Sequence, residues 1–105
     1  MIALAKNVSL KNDNTFGIDA ITKFYYSLTM PSKLEIIYNE GLFDKNKYIV
    51  LGGGSNILFT KNFEGLVISN QINGIQIYTG EKDYVLLEAG AGVNWDYLVR
   101  TAVRN

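Results

Sequence analysis

The sequence predicts an α+β fold, in which a small βαβ unit (residues 1–62) precedes the start of an antiparallel sheet and a helix (residues 63–105). Three observations lead to this fold class. Two β-prone runs flank a segment that carries a helix-start signal and helical spacing of apolar residues. Further strand-like runs follow with short connections, which favour antiparallel neighbours. Apolar residues close to residue 105 then recur at the spacing of one helix face.

The first segment of the chain is predicted to be largely irregular. Residues 8–14 are polar and include the run KNDN, which is typical of a loop. Residues 15–18 are predicted to form a short strand, with Phe16 in the core and Gly17 permitting a bend. The regular part of the βαβ unit is therefore expected to begin after residue 20.

Three consecutive segments predict the βαβ unit itself. Residues 24–29, FYYSLT, are aromatic and β-prone and favour a strand. Ser32 and Glu35 fit a capping box, with Ser32 as the N-cap of a helix that ends at Gly41. Residues 48–51, YIVL, are apolar and β-branched, as expected of a buried strand. A right-handed crossover would make the two strands parallel and would place the next loop at their carboxyl edge, where such sheets bind ligands.

The second half of the chain is predicted to hold an antiparallel meander and a helix. Its strands are expected at residues 66–68, 75–78 and 84–89. The Gly-Ala-Gly run that follows is interpreted as a strand-to-helix turn, with anion binding at the helix start as the alternative. Asn94 is the predicted N-cap of the helix. Its apolar face comprises Trp95, Leu98, Val99, Ala102 and Val103.

Composition excludes several classes of function. The chain of 105 residues is one domain or a piece of a larger one, with ten basic and ten acidic residues and no block of one sign. This balance argues against a nucleic-acid partner, which would require clustered Lys and Arg. Without histidine or cysteine the chain has no disulfide, no zinc site of the usual kind, no cysteine nucleophile and no Ser-His-Asp triad. We therefore predict no metal site.

Hydropathy predicts a protein of the cytoplasm. The N-terminal apolar run is too short for a signal peptide, and no later run approaches the length of a membrane span. No membrane partner is expected on this basis.

The glycine-rich loop GGGSN, residues 52–56, is the candidate site. Glycines cost entropy on folding, and what they permit is positive φ and close approach of the backbone to another group. Their N–H groups can converge on an anion, and Ser55 and Asn56 add uncharged donors. The loop lacks the lysine of a P-loop, and Ile57 stands where a dinucleotide fingerprint needs its last glycine. An anion site and a simple chain reversal both remain open. The candidate binding residues are Leu51, Gly52, Gly53, Gly54, Ser55, Asn56 and Ile57.

Three segments of the chain resemble one enzyme family. Residues 51–58, LGGGSNIL, are similar to the pyrophosphate loop of the UDP-N-acetylenolpyruvoylglucosamine reductases, flavoenzymes of peptidoglycan precursor synthesis. Residues 14–19, NTFGID, and residues 90–95, GAGVNW, resemble two further family segments in the same order. The resemblance implies the N-terminal part of a PCMH-type FAD-binding domain. Residues 1–62 would be its first FAD-binding subdomain, and residues 63–105 the incomplete start of its second.

The resemblance also implies an activity. The enzyme would hold FAD noncovalently on the residue 51–57 loop, take hydride from NADPH and convert UDP-N-acetylglucosamine enolpyruvate into UDP-N-acetylmuramate. The family's serine proton donor, its partner acid and its substrate domain match no position in residues 1–105, so we predict no catalytic residue here. The chain alone is expected to be inactive and to hold FAD weakly or not at all. The implied processes are cell wall biogenesis, cell shape and cell division.

Two alternative functions remain open, and the sequence also predicts how the chain assembles. The chain could belong to another FAD-linked oxidase, or it could be a non-enzymatic domain with an empty glycine loop. The strands after residue 63 would leave an unpaired edge, and the apolar helix face would lack cover. We expect a homodimer, in which a second copy of the chain pairs with this edge and covers this face.

Overall fold

The computed structural model describes residues 2–80 and 82–105. The elements in this part of the chain are, in order, β1 (Ala5–Ser9), a 3-10 turn (Lys11–Asp13), β2 (Ile21–Leu28), α1 (Ser32–Asn39), α2 (Leu42–Lys45), β3 (Tyr48–Leu51), β4 (Phe63–Asn70), β5 (Ile75–Tyr78), β6 (Leu86–Ala89) and α3 (Trp95–Arg104). The mixture of strands and helices confirms the α+β class. None of the described helices is both long enough and apolar enough to cross a membrane.

The larger sheet has four strands in the order β1-β2-β4-β3. β4 lies parallel to both β2 and β3, while β1 pairs with β2 in the antiparallel sense. The crossover from β2 through α1 and α2 to β3 thus joins two parallel strands, as predicted. The two are not neighbours, because β4 lies between them.

The predicted meander is wrong in its first strand. β4 belongs to the larger sheet, and only β5 and β6 form an antiparallel pair, with Ile75 opposite Ala89 and Tyr78 opposite Leu86. The five central residues of β4 are all buried, which is the pattern of a parallel strand covered on both faces rather than of a meander strand. The two sheets therefore divide between Asn70 and Ile75. A division into two flavin-binding subdomains at residue 62 stays a prediction.

The core lies in two layers, one on each face of the larger sheet. Strand side chains alternate between faces, so β4 contributes Val67 to one layer and Leu66 and Ile68 to the other. The layer under α1 also contains Ile37, which is fully buried. The opposite layer consists of Leu10, Ala20, Leu51, Phe59 and Val67. Phe59, which is buried in this layer, returns the chain to the core after the glycine loop.

Two local predictions in the N-terminal segment are wrong. β1 begins at Ala5, where a loop was expected from residue 8, because this edge strand is mostly exposed and has no apolar alternation. Residues 15–18 form a turn rather than a strand. Phe16 is 63% exposed and does not fill the core. Gly17 does permit the predicted bend, with φ of 65°.

The helix and strand that precede the glycine loop also differ in detail from the prediction. Ser32 is the first residue of α1 and not its N-cap; Pro31 occupies that position without a side-chain hydrogen bond. Gly41 adopts φ of 71° immediately after the C-cap residue Glu40, which confirms it as the glycine that ends the helix. β3 is an edge strand, so Leu51 is buried whereas Tyr48 and Val50 are exposed on the other face.

The segment after Asn70 makes little contact with the core. No buried core residue of the described chain belongs to β5, β6 or α3. The pair β5–β6 is joined by a hydrogen bond of 2.8 Å from the Tyr78 hydroxyl to Oε2 of Glu88, and this carboxylate raises the pKa of Tyr78. The Cα radius of gyration is 16.4 Å, against about 13 Å for a compact domain of this length. β5, β6 and α3 thus project from the larger sheet.

Candidate functional site

The glycine loop lies at the carboxyl end of β3, next to the carboxyl ends of the parallel strands β2 and β4. All seven candidate residues line one open cavity of about 320 Å³, together with Val50. They share this cavity because they are consecutive residues of one short loop. The sequence-based placement of the loop at the edge of a parallel sheet is therefore confirmed.

A second cavity, of about 520 Å³, brings together the three segments that resemble one family. It is lined by Thr15 from the first segment, by Gly53 and Ser55 from the second, and by residues 91–95 from the third, together with Asp96. These segments are far apart in the sequence. Their convergence on one cavity is the main indication that they serve one ligand.

The three glycines of the loop have different roles. Gly54 has φ of 76°, and a Cβ there would overlap the carbonyl oxygen of Asp13 and lie 2.7 Å from Cα of Asn14. Gly52 and Gly53 do not have left-handed φ, and a Cβ on either would meet no atom within 4 Å. Positive φ, expected of the glycines as a group, thus applies to Gly54 alone. The open space before Gly52 and Gly53 lets a ligand approach their backbone.

The loop presents donors that the protein does not use. Within the described residues, no protein atom accepts a hydrogen bond from the backbone N–H groups of residues 52–56. The side chains of Ser55 and Asn56 likewise make no hydrogen bond to the described part of the protein, and both residues are exposed. Such a set of free, uncharged donors suits an anion.

The first family segment supports the glycine loop from behind. The Thr15 N–H donates to the Gly54 carbonyl oxygen at 3.0 Å. The buried Asn14 side chain holds the turn: its Nδ2 donates to the carbonyl oxygens of Leu10 at 2.7 Å and Ile18 at 3.1 Å, and its Oδ1 accepts from the Ile18 N–H at 3.0 Å. Asn14 therefore fixes the turn that carries Thr15.

The third family segment forms the strand-to-helix turn predicted from the sequence. A Cβ on Gly90 would lie 2.7 Å from the carbonyl oxygen of Asn73, and one on Gly92 would lie 2.6 Å from Cα of Gln71. Both glycines are thus required by close contact between this turn and the residues after β4. Asn94 then caps α3, because its Oδ1 accepts from the Tyr97 N–H at 3.0 Å. This confirms the predicted N-cap.

One charged residue is found among the described residues that line the two cavities. Among the described residues that line them, Asp96 alone carries a charge. Its Oδ2 lies 3.4 Å from Nη2 of Arg100, and both side chains are largely exposed. An anion at the glycine loop would therefore be held by backbone and side-chain dipoles rather than by a cation.

Seven of the nine described residues that line the second cavity were not among the candidate binding residues, and Thr15 and Trp95 are two of these seven. Thr15 was predicted to lie in a strand, and Trp95 was assigned to the apolar helix face. Both stand in segments that resemble the family, which was the one signal in the sequence for their role. Periodicity could not reveal it, because Trp95 fits a helix-face pattern equally well.

Comparison with known proteins agrees with the resemblance. No family model matches the chain. UDP-N-acetylenolpyruvoylglucosamine reductase of Burkholderia multivorans is 36% identical over 98 residues, which cover 93% of this chain and 28% of that protein. The enzyme of the same name is 38% identical over 96 residues in Amoebophilus asiaticus (91% and 28%) and 41% identical over 98 residues in Photorhabdus laumondii (93% and 28%).

The chain spans less than a third of the length of these curated relatives, whereas the match extends over more than nine-tenths of the chain. The family resemblance inferred from the three segments is thus confirmed. Nearly the whole chain is homologous to one part of the UDP-N-acetylenolpyruvoylglucosamine reductases.

Proposed function

We propose that the chain is the FAD-binding portion of an NADPH-dependent UDP-N-acetylenolpyruvoylglucosamine reductase. The observation that carries the proposal is the loop of residues 52–56, whose N–H groups have no acceptor in the described protein and which lines the cavity where the three family segments meet. The relatives' shared name supports the reaction class. The PCMH-type architecture and a location in the cytoplasm are part of this proposal.

The loop fits the pyrophosphate of FAD. That group is a dianion with many acceptor oxygens, which matches the free N–H groups, the Ser55 hydroxyl and the Asn56 amide. Gly52 and Gly53 leave room for direct contact between backbone and phosphate. We expect noncovalent binding, and this chain has no histidine or cysteine that could form a covalent link to the flavin.

In the whole enzyme the flavin, when bound, would supply hydride transfer from NADPH to the enolpyruvyl group of the UDP-sugar substrate. The product would be UDP-N-acetylmuramate, a precursor of peptidoglycan, which links the chain to cell wall biogenesis, cell shape and cell division. The role of the described residues in this reaction is to bind and orient the cofactor. Proton donation and substrate binding would fall to residues outside this chain.

The two alternatives make different predictions. The names of the relatives favour the reductase over another FAD-linked oxidase. A non-enzymatic domain with an empty loop would bind neither flavin nor pyrophosphate at any concentration. Titration of the whole protein with both ligands therefore separates this alternative from the other two.

We expect Gly53→Val to weaken FAD binding without weakening the fold. A valine side chain would occupy the open space before the loop, where φ at this residue is not left-handed. Loss of one or two hydrogen bonds to a charged group would reduce affinity roughly 10–100-fold. Flavin fluorescence would follow FAD binding by the whole protein with and without the substitution, and chemical unfolding would check that the two stabilities agree. Equal affinities would contradict the assignment of the loop.

We expect the chain alone not to oxidise NADPH when supplied with FAD and the enolpyruvyl substrate. General acid catalysis requires a donor within hydrogen-bond reach of the reacting group, and no residue here matches the family's donor. Steady-state NADPH absorbance measures the outcome. Substrate-dependent turnover by the purified chain would show that a proton donor lies within residues 1–105.

We expect the isolated chain to form a homodimer. The β5–β6 pair has no further strand beside it in the described chain, and Val99 and Val103 on α3 are 40% and 81% exposed. Two-stranded ribbons are marginally stable alone, and unpaired edges recruit other strands. Sedimentation at micromolar concentration should detect dimers, which Val103→Lys should weaken and Met30→Lys, at the exposed Met30 before α1, should not. A folded monomer at every concentration would rule out the dimer.

A further inference from the structure

The linker between β4 and β5 (residues 71–74) contains an asparagine that is followed by a glycine, Asn73-Gly74. No other asparagine of the chain precedes a glycine. Both residues are exposed, and neither belongs to a helix or a strand. Because glycine has no side chain, the backbone nitrogen that follows Asn73 is unshielded. An asparagine amide in this position can react with its own main chain.

Both reacting groups are free in the described part of the chain. No acceptor is found there for the Gly74 N–H, and the Asn73 side chain makes no hydrogen bond. Gly74 has φ of 98°, and a Cβ there would meet no atom within 4 Å, so the space around it is open. The two residues also line an open cavity of about 550 Å³, which admits water to the amide. Neither group has to break a hydrogen bond before it reacts.

We propose that Asn73 is a site of deamidation through a cyclic imide. The Gly74 nitrogen loses its proton and attacks Cγ of Asn73. The new N–Cγ bond forms, the Cγ–Nδ2 bond breaks, and the departing ammonia takes up a proton. Water then opens the ring, and the net change is the conversion of an amide and water into a carboxylic acid and ammonia. No step of this reaction uses the cofactor, so the site is independent of the proposed function.

The ring opens in two ways, and the products differ in their main chain. Attack of water at Cγ restores the original main chain and leaves an aspartate at position 73. Attack at the main-chain carbonyl carbon gives isoaspartate instead, in which the chain runs through Cβ and Cγ. Isoaspartate therefore lengthens the backbone of the linker by one carbon, whereas aspartate only adds a negative charge.

The longer backbone would disturb the third family segment. This segment is bound on both sides of Asn73: the Gly92 N–H donates to the Ile72 carbonyl oxygen at 2.7 Å, and the Gly90 N–H donates to the Gly74 carbonyl oxygen at 3.0 Å. Because covalent bond lengths are fixed, an extra carbon between the two acceptors changes their spacing, and both bonds cannot be kept. Isoaspartate at position 73 thus loosens the segment that lines much of the second cavity.

Incubation of the whole protein in neutral buffer at physiological temperature, followed by digestion and mass spectrometry, tests the proposal. Two asparagines of the same chain are internal controls. Asn56 is exposed and makes no side-chain hydrogen bond in the described chain, but it precedes the β-branched Ile57. Asn12 is exposed too, but the N–H of the next residue, Asp13, donates to a carbonyl oxygen at 2.9 Å. Asn73 should deamidate at least about tenfold faster than either control.

Two variants give the reference states. Asn73→Gln should remove the mass gain from this peptide, because its longer side chain would have to close a larger ring. Asn73→Asp supplies the aspartate product, so that a second product of the same mass and a different retention is identified as isoaspartate. Rates at Asn73 no higher than at Asn56 would overturn the site.

Amide hydrogen exchange measures the effect on the third family segment. In aged wild-type protein, the isoaspartate fraction should exchange the amides of Gly90 and Gly92 at least about tenfold faster than fresh protein does. Aged Asn73→Gln and fresh Asn73→Asp should both keep the slow exchange, since neither has a lengthened main chain. Unchanged exchange at both glycines in the isoaspartate form would overturn the proposed loosening.

Discussion

Gly54→Ala should lower the free energy of unfolding by roughly 2–4 kcal/mol. The alanine would have to hold φ of 76°, at a cost of about 1 kcal/mol. Its Cβ would also overlap the Asp13 carbonyl oxygen and lie 2.7 Å from Cα of Asn14, and relief of such overlap costs about 1–3 kcal/mol. The contacts are with backbone atoms, so no side-chain rotation can relieve them.

Thermal unfolding followed by circular dichroism measures this effect, and the midpoint should fall by roughly 10–20 °C. Gly53→Ala is the matched control in the same loop, because its Cβ meets nothing within 4 Å and its φ is not left-handed. That variant should stay within about 0.5 kcal/mol of the wild type or be slightly more stable. Equal losses in the two variants would contradict the assignment of the close contact to Gly54.

Asn14→Leu should destabilise the fold by a similar amount, roughly 2–4 kcal/mol. Asn14 is 7% exposed, and its side chain makes three hydrogen bonds to the backbone of Leu10 and Ile18. Leucine has a similar volume but leaves the N–H and carbonyl oxygen of Ile18 without their partner, whereas the Leu10 carbonyl oxygen keeps the Asp13 N–H at 2.9 Å. Each buried unpaired group costs about 1–3 kcal/mol. The turn that carries Thr15 would loosen, and with it the bond from the Thr15 N–H to the Gly54 carbonyl oxygen.

Chemical unfolding with two further variants isolates the cause. Asn14→Asp keeps an acceptor for the Ile18 N–H but loses both donor bonds, so it should be nearly as unstable as Asn14→Leu at neutral pH. Asn12→Leu, in the 3-10 turn just before Asn14, is the control. Asn12 is exposed, and its side chain has no hydrogen bond in the described chain. Loss of stability in Asn12→Leu equal to that in Asn14→Leu would show that the hydrogen bonds of Asn14 are not the reason.

The two sites are also expected to be coupled. Cα of Asn14 is among the atoms that a Cβ on Gly54 would meet, so both substitutions disturb one contact. Residues in contact deviate from additivity by about 0.5–3 kcal/mol, so the double variant should lose less stability than the sum of the single losses.

Local patterns in the sequence predicted those elements whose physical cause is also local. The β-branched run of β3, the left-handed Gly41 after α1 and the Asn94 cap of α3 each depend on a few neighbouring residues, and the structure has all three. The glycine loop and its donors were identified for the same reason. The resemblance of three segments to one family was likewise contained in the sequence alone.

Tertiary structure alone decided which strands pair and which segments meet. β4 joins the larger sheet because a continuous apolar strand is stabilised by burial on both of its faces. The short connections in the sequence could not predict this pairing. Of the three glycines, only Gly54 takes positive φ, and only there would a Cβ meet the backbone of Asp13 and Asn14, which long-range packing brings against the loop. Thr15, Ser55 and Trp95 share a cavity because long-range packing brings distant turns together. Such contacts depend on free energy gained across the whole fold, which no short stretch of sequence contains.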